Sequence, residues 1–152
     1  MEACGSVDEL NAALGLARAT GGAGPAQERL LAIQKDLVTV MGELATALED
    51  LPRYAAEGHP AVTPALTARL EDAICSLEAA DVSPGDWAMP GGSLHGAALD
   101  LARTVCRRAE RRVCALQRAG ELQNSEILVY LNRLSDLLWL MARCADAPRA
   151  TR

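Results

Sequence analysis

Residues 103–112 hold five arginines and one glutamate in an acidic chain whose formal net charge is −5. Successive helical residues turn by about 100°, so on a helix Arg103, Arg107 and Glu110 fall within a sector of roughly 60°. Arg111 lies near the edge of that sector, while Arg108 and Arg112 point elsewhere. The stripe borders an apolar seam of Leu99, Ala102, Cys106, Ala109, Val113 and Leu116. A guanidinium beside a core seam suits bidentate contact with a carboxylate or phosphate, and Glu110 is placed to hold one arginine. The competing reading is a solvated face with intrahelical pairs at three- and four-residue steps. Spacing alone ranks that reading ahead.

A second polar stripe changes the balance. Asn132, Asp136, Trp139 and Arg143 share one face of a segment whose remainder carries Leu131, Leu134, Leu137, Leu138 and Met141. A helix this apolar is largely buried, so its polar stripe must be satisfied inside the fold or across a subunit interface. A packing network remains a fair competitor. Near the start, Asp8, Asn11 and Gly15 share a face. A helix-interior glycine costs about 1 kcal/mol against alanine, which points to a close approach by a helix or a ligand. Trp87-Ala88-Met89-Pro90-Gly91-Gly92-Ser93 leads into the arginine segment. Gly-rich backbone at a helix N-terminus can cradle an anion, but a tight turn and a cap explain it equally, and the Walker pattern is absent. His95 takes no assigned role. No Ser/His/Asp or Cys/His arrangement stands out, so an enzyme built from this inventory would rely on binding, charge neutralisation and a reactive cofactor.

These residues need helices to position them. The 152 residues make one domain of common size. Aromatics are 3% and Phe is absent, while Ala and Leu dominate the apolar half, a composition that favours helix over strand. The first helix is expected over Val7–Thr20, with Ser6 and Glu9 as a capping box. The second is expected over Ala26–Asp50, with Leu30, Ile33, Leu37, Val40, Leu44 and Leu48 facing inward. Pro52 to Pro60 reads as a loop. A third helix begins at Thr63-Pro64, with Pro at its first position, and runs to Ala80. Asp81 to Gly92 is a second loop. The fourth helix spans Ser93–Arg118. The fifth spans Ser125–Cys144, capped by Asn124. The expected fold is all-α, a five-helix bundle over residues 1–146 with a frayed tail over 147–152.

The negative charge argues against non-specific nucleic-acid binding, which needs a basic surface. No run of 18 apolar residues is present to span a membrane, and no signal peptide is visible. The five cysteines (Cys4, Cys75, Cys106, Cys114 and Cys144) form no CxxC, and with only His59 and His95 they offer no credible zinc set. Dispersed cysteines suit a reducing compartment, so the expected location is cytoplasmic, or organellar if a targeting segment lies upstream.

Four segments resemble the motifs of one family. Gly5-Ser6-Val7-Asp8-Glu9-Leu10-Asn11-Ala12 with Gly15-Leu16-Ala17-Arg18 resembles its opening helix. Pro90-Gly91-Gly92-Ser93 resembles its PGG turn. Ala102 to Arg111 resembles its signature arginine helix, and Tyr130-Leu131-Asn132-Arg133-Leu134-Ser135-Asp136 its YLNRLSD helix. The family is the ATP:cob(I)alamin adenosyltransferases of the propanediol-utilisation type, and the resemblance covers nearly the whole chain.

The resemblance implies a homotrimer with active sites between subunits. It implies transfer of the 5′-deoxyadenosyl group of ATP to cobalt(I), with release of triphosphate and with magnesium accompanying ATP. The corrinoid supplies the nucleophile, in keeping with the lack of a protein nucleophile. By the same resemblance Arg107 and Asn132 contact ATP, supported by Glu110 and Arg111. Asp8 and Arg103 pair to shape the corrinoid site. Trp87 and Trp139 stand where the family has Phe, and Trp87 is the aromatic wall that displaces the lower axial ligand of cobalt. The product passes to a cobalamin-dependent enzyme. The family also carries a Gly-, Lys- and Thr-rich segment that wraps the ATP phosphates, ahead of the position of Ser6. Three expectations follow: an upstream start, a trimmed chain, or a corrinoid-binding paralogue or chaperone without ATP chemistry.

Overall fold

A computed structural model describes residues 1–79 and 88–147. Six α-helices are formed among the described residues: α1 (Glu2–Thr20), α2 (Pro25–Ala45), α3 (Leu51–Ala56), α4 (Pro64–Glu78), α5 (Leu94–Arg118) and α6 (Glu126–Asp146), with a 3₁₀ turn at Leu48–Asp50. No strand occurs among the described residues. Five helices are long, and the short α3 is additional to the five expected.

The first helix starts earlier than its sequence suggests. Ser6 is not an N-cap; its hydroxyl donates to the Glu2 carbonyl one turn back, at 3.1 Å. Glu9 does not reach back to a cap either, because it pairs with Arg108 of α5. Glu2 pairs with Arg112 in the same way. The chain is already helical before Ser6, with the Gly5 N–H bonded to the Met1 carbonyl, so a cap at Ser6 has no free N–H to satisfy. With Ala17 accepting from His95 Nδ1 at 2.9 Å, the three contacts set α1 antiparallel to α5.

The second helix ends five residues before the expected Asp50. Tyr54 on α3 sets its hydroxyl against Gly42, where a Cβ would collide with it. The chain therefore folds back over α2 instead of extending it. Leu48, expected inward, is exposed, whereas Leu30, Ile33, Leu37 and Val40 are buried as their spacing predicts. The expected loop at Pro52–Pro60 is helical through Ala56, with Pro52 in the first turn, where its missing N–H costs nothing. Pro64 opens α4 behind Thr63, though the Thr63 side chain makes no cap bond.

The remaining ends follow their signals more closely. Ser93 caps α5 by accepting from the Gly96 N–H at 2.9 Å. Asn124 Oδ1 accepts from the Glu126 N–H at 3.1 Å at the head of α6. The last helix runs on to Asp146, beyond the expected Cys144. Ala80, the loop from Asp81 to Trp87, and residues 148–152 of the expected tail lie outside the described residues.

Helix α1 packs between α2 and α5, α5 packs on α6, and α6 packs on α4. The core is mostly Leu, Ala, Val and Ile, and Tyr130 is the largest fully buried side chain among the described residues. Burying each leucine contributes roughly 2 kcal/mol. Asp36 ties α2 to both α6 and α4. It accepts from Tyr130 of α6 at 3.0 Å and from Arg69 of α4 at 2.7 and 2.8 Å.

Candidate functional site

The α5 seam is buried as expected from Leu99 through Val113, and Leu116 is half-buried. That burial sets the orientation of the arginines beside it. Arg108 and Arg112 turn toward α1. Arg103, Arg107 and Glu110 turn toward the α6 side, so the sequence divides the arginines correctly.

Two carboxylates on α5 organise this face. Glu110 is held between the helices: its Oε2 accepts from Arg107 at 2.5 Å and its Oε1 from Asn132 Nδ2 of α6 at 3.1 Å. Arg107 keeps 46% of its side chain exposed, against 17% for Glu110. The guanidinium is thus anchored at one edge and open at the other. Asn132 spends its amide N–H on Glu110 and keeps its carbonyl oxygen for another donor. Arg111 is exposed and has no ion-pair partner among the described residues.

Asp100 is the second carboxylate, and it is one the sequence reading missed. Its Oδ1 accepts from Arg103 Nε at 3.1 Å, and its Oδ2 accepts from Arg143 of α6. Asp100 and Arg143 are both nearly sealed, with 5% and 6% of their side chains exposed. Arg143 also lies over the Trp139 ring, 5.9 Å from its centroid, in a cation–π arrangement. It approaches Asp146 at 3.6 Å. Asp146 in turn accepts from the Ser93 hydroxyl at 2.8 Å. A Cβ at Gly96 would run into the Asp146 carboxylate, so a side chain there would displace Asp146 from this position. Gly91, in the turn before it, has φ +110°, a left-handed conformation that favours glycine.

The predicted residues thus collect in two groups. Arg107, Glu110 and Asn132 form one. Arg103 and Trp139 join through Asp100 and Arg143 in the other. Asp136, expected on the same α6 stripe, is exposed and pairs with Arg133 at 3.0 Å. Asp8 is exposed on α1 and has no ion-pair partner among the described residues, so within one chain Arg103 binds Asp100 and not Asp8. Gly15 is not forced by packing, since a Cβ there would only touch Gln34 at 3.5 Å. Asn11 keeps a buried Oδ1 with no hydrogen-bond partner among the described residues. Trp87 lies outside the described residues. The signal that could have exposed Asp100 was present: a charged residue inside Leu99-Asp100-Leu101-Ala102, three residues before an arginine.

No activated protein nucleophile emerges among the described residues. The Cys106 thiol sits in the core against the Leu131 carbonyl, 3.3 Å away. Burial, then the neighbouring Glu110 carboxylate, pushes its pKa well above the ordinary thiol value, so it stays a thiol. Clefts at the Glu43–Tyr54–Asn124 end of the chain are lined by none of the predicted site residues.

The chain has relatives in both sequence and structure. Residues 1–145 match the family model described as cobalamin adenosyltransferase. The corrinoid adenosyltransferase of Bacillus subtilis is 37% identical over 97% of this chain and 74% of its own length. The cobalamin adenosyltransferase of Cupriavidus metallidurans is 41% identical over 93% of this chain and 71% of its own. Among solved structures, a point variant of the PduO-type ATP:corrinoid adenosyltransferase of Lactobacillus reuteri, complexed with cobalamin and ATP, superposes with a TM-score of 0.82. It is 31% identical and covers 95% of this chain and 78% of that one. A second variant of that enzyme, complexed with ATP, gives 0.80 at 32% identity.

Proposed function

The chain belongs to the cobalamin adenosyltransferase family, and from that premise we propose how its residues carry out transfer of the 5′-deoxyadenosyl group from ATP to cob(I)alamin. Cobalt(I) brings the electron pair to C5′ of ATP. The Co–C bond forms as the C5′–O bond breaks, and triphosphate leaves with the electrons of that bond. The protein then has three tasks: to hold ATP, to neutralise the leaving triphosphate, and to bring cobalt to C5′.

The single observation that carries this reading is the Glu110 clamp between Arg107 and Asn132. It presents a fixed guanidinium with one edge open beside a neutral amide. Arg107, with Arg111 behind it, meets the negative charge of the triphosphate, which grows on the leaving oxygen as the bond breaks. Asn132 offers its carbonyl oxygen to the nucleoside. Magnesium travels with ATP; it holds phosphates through few protein ligands. Among the described residues no cluster of three or more His, Cys, Asp or Glu forms a resident metal cage.

The corrinoid half consists of Arg103, Trp139, Asp8 and Trp87. Trp139 supplies an aromatic surface on α6, 37% exposed. In the role the resemblance gives Trp87, a dry aromatic wall displaces the lower axial ligand and leaves four-coordinate cobalt, which is easier to reduce. The exposed Asp8 and the open sides of Arg103 and Arg107 support sites completed by a neighbouring subunit of a homotrimer, with Asp8 of one chain meeting Arg103 of the next. A cytoplasmic location agrees with five cysteines that are all free, and a cobalamin-dependent enzyme would receive the product.

The test is direct. The purified protein, carrying whatever residues its gene encodes before Met1, is mixed with ATP and chemically reduced cobalamin under anaerobic conditions. Formation of adenosylcobalamin, read by its light-sensitive absorbance, is expected. Cobalamin binding without ATP-dependent product would overturn the reading.

A further inference from the structure

We propose that Asp100 is the positioning residue of Arg103, and that the relay Ser93–Asp146–Arg143–Asp100 fixes the direction in which Arg103 presents its guanidinium to the corrinoid side of the site. The inference rests on the corrinoid half of the reaction described above. Asp100 grips Arg103 through Nε, at 3.1 Å. A guanidinium held there keeps its two terminal NH₂ groups free, and those donors form the fork that meets a carboxylate or an amide-bearing ligand. Arg103 keeps 29% of its side chain exposed while Asp100 is sealed, so the grip comes from the protein side and the fork faces outward.

A sealed carboxylate needs a partner that holds it in place, and Arg143 provides one. Arg143 has two further neighbours and sits in a turn tied to α5. It packs over Trp139, it faces Asp146, and it lies on the helix turn that Ser93 ties to the head of α5. The same relay therefore joins Arg103, the Trp139 surface and the Pro90–Ser93 turn. A displacement of that turn would reach Arg103 through Asp146, Arg143 and Asp100.

The geometry separates the two substrates. Glu110, Arg107 and Asn132 share no hydrogen bond or ion pair with this relay, so weakening it should affect corrinoid and spare ATP. In Asp100→Asn, KM for cob(I)alamin should rise roughly tenfold or more, as expected when a binding group is misplaced by a fraction of an ångström to an ångström. KM for ATP should stay within about twofold, since no contact of Arg107 or Asn132 is lost. In an Arg103→Lys background, where no Nε grip exists, Asp100→Asn should add nothing to the corrinoid KM. The pair Asp100→Leu with Arg143→Met replaces the buried ions by apolar groups of similar size, an exchange that folds retain. It should raise the corrinoid KM like Asp100→Asn, which keeps the test open if the single variant fails to fold.

A folded Asp100→Asn or paired variant with unchanged corrinoid KM overturns the proposal, as does an equal rise in both KM values or an additive effect in the Arg103→Lys background. If the unmodified protein neither binds cobalamin nor forms product, the functional reading itself has failed, and the proposal falls with it.

Discussion

Glu110 and Asp100 stand ten residues apart on α5 and perform the same connection under opposite conditions. Each joins an α5 arginine to a side chain of α6. Glu110 joins Arg107 to a neutral amide at a half-open surface, whereas Asp100 joins Arg103 to a second, sealed guanidinium. An ion pair open to water is worth at most about 1 kcal/mol, because solvent screens it and the side chains lose freedom. A sealed pair costs desolvation on both sides, and removing one partner leaves an uncompensated charge. The open clamp holds one edge of Arg107 and leaves the other free to meet a charged ligand. The sealed clamp is part of the fold, and it lends its rigidity to an arginine that still reaches the surface.

That contrast can be broken most severely at Arg143. Arg143→Met alone should lower stability by about 3–5 kcal/mol, because Asp100 loses its buried counter-charge; a urea melt against the parent protein measures it. Glu110→Gln in the same assay should cost no more than about 1 kcal/mol. Equal losses would show that the two clamps are not different in kind.

Activity should show the reverse pattern. Arg107→Ala should reduce kcat/KM by about a hundredfold or more, since a preorganised charge on the leaving group is removed, while stability changes by less than about 1 kcal/mol. Asn132→Ala should raise the KM for ATP about tenfold, the scale of a hydrogen bond to a charged or polar ligand group, with the corrinoid KM unchanged. Steady-state kinetics with each substrate varied in turn separates these outcomes.

Asp36 offers a third clamp and the smallest effect. It ties Arg69 to the Tyr130 hydroxyl. Burial first, and the Asp36 carboxylate second, pushes the Tyr130 phenol well above its ordinary range. Above about pH 10 the unfolded chain loses this proton while the folded chain keeps it. Folding then takes up a proton, so stability must fall as pH rises through the ordinary phenol range. Below it the contribution is fully present. Tyr130→Phe removes the titrating group, and its denaturation midpoint should fall less steeply with alkaline pH than that of the parent.

Much of this is legible in the sequence. The 3.6-residue spacing of Leu99, Ala102, Cys106, Ala109 and Val113 placed the α5 seam, and with it the split between Arg103–Arg107–Glu110 and Arg108–Arg112. The companion residues Asn132 and Trp139 were found through their periodicity on an apolar helix. Failures occurred where a short signal met a distant partner. Ser6 and Glu9 have the form of a capping box, but Glu9 meets Arg108, 99 residues away. Leu48 continues the α2 stripe on paper, yet Tyr54 returns over Gly42 and the helix has already ended.

By itself, the sequence determined the all-helical class, the apolar faces of α2, α5 and α6, and the family, because all three depend on patterns repeated along the chain. Four spaced motifs and a sustained apolar period carry enough local information to fix them. Only the tertiary structure decided which charges meet. It joined Arg143 to Asp100 and so to Arg103, and Glu110 to Asn132, across 43 and 22 residues of chain. Pairing of this kind depends on the distance and rotation of α6 against α5, which the packing of their apolar faces sets. No spacing within either segment encodes it.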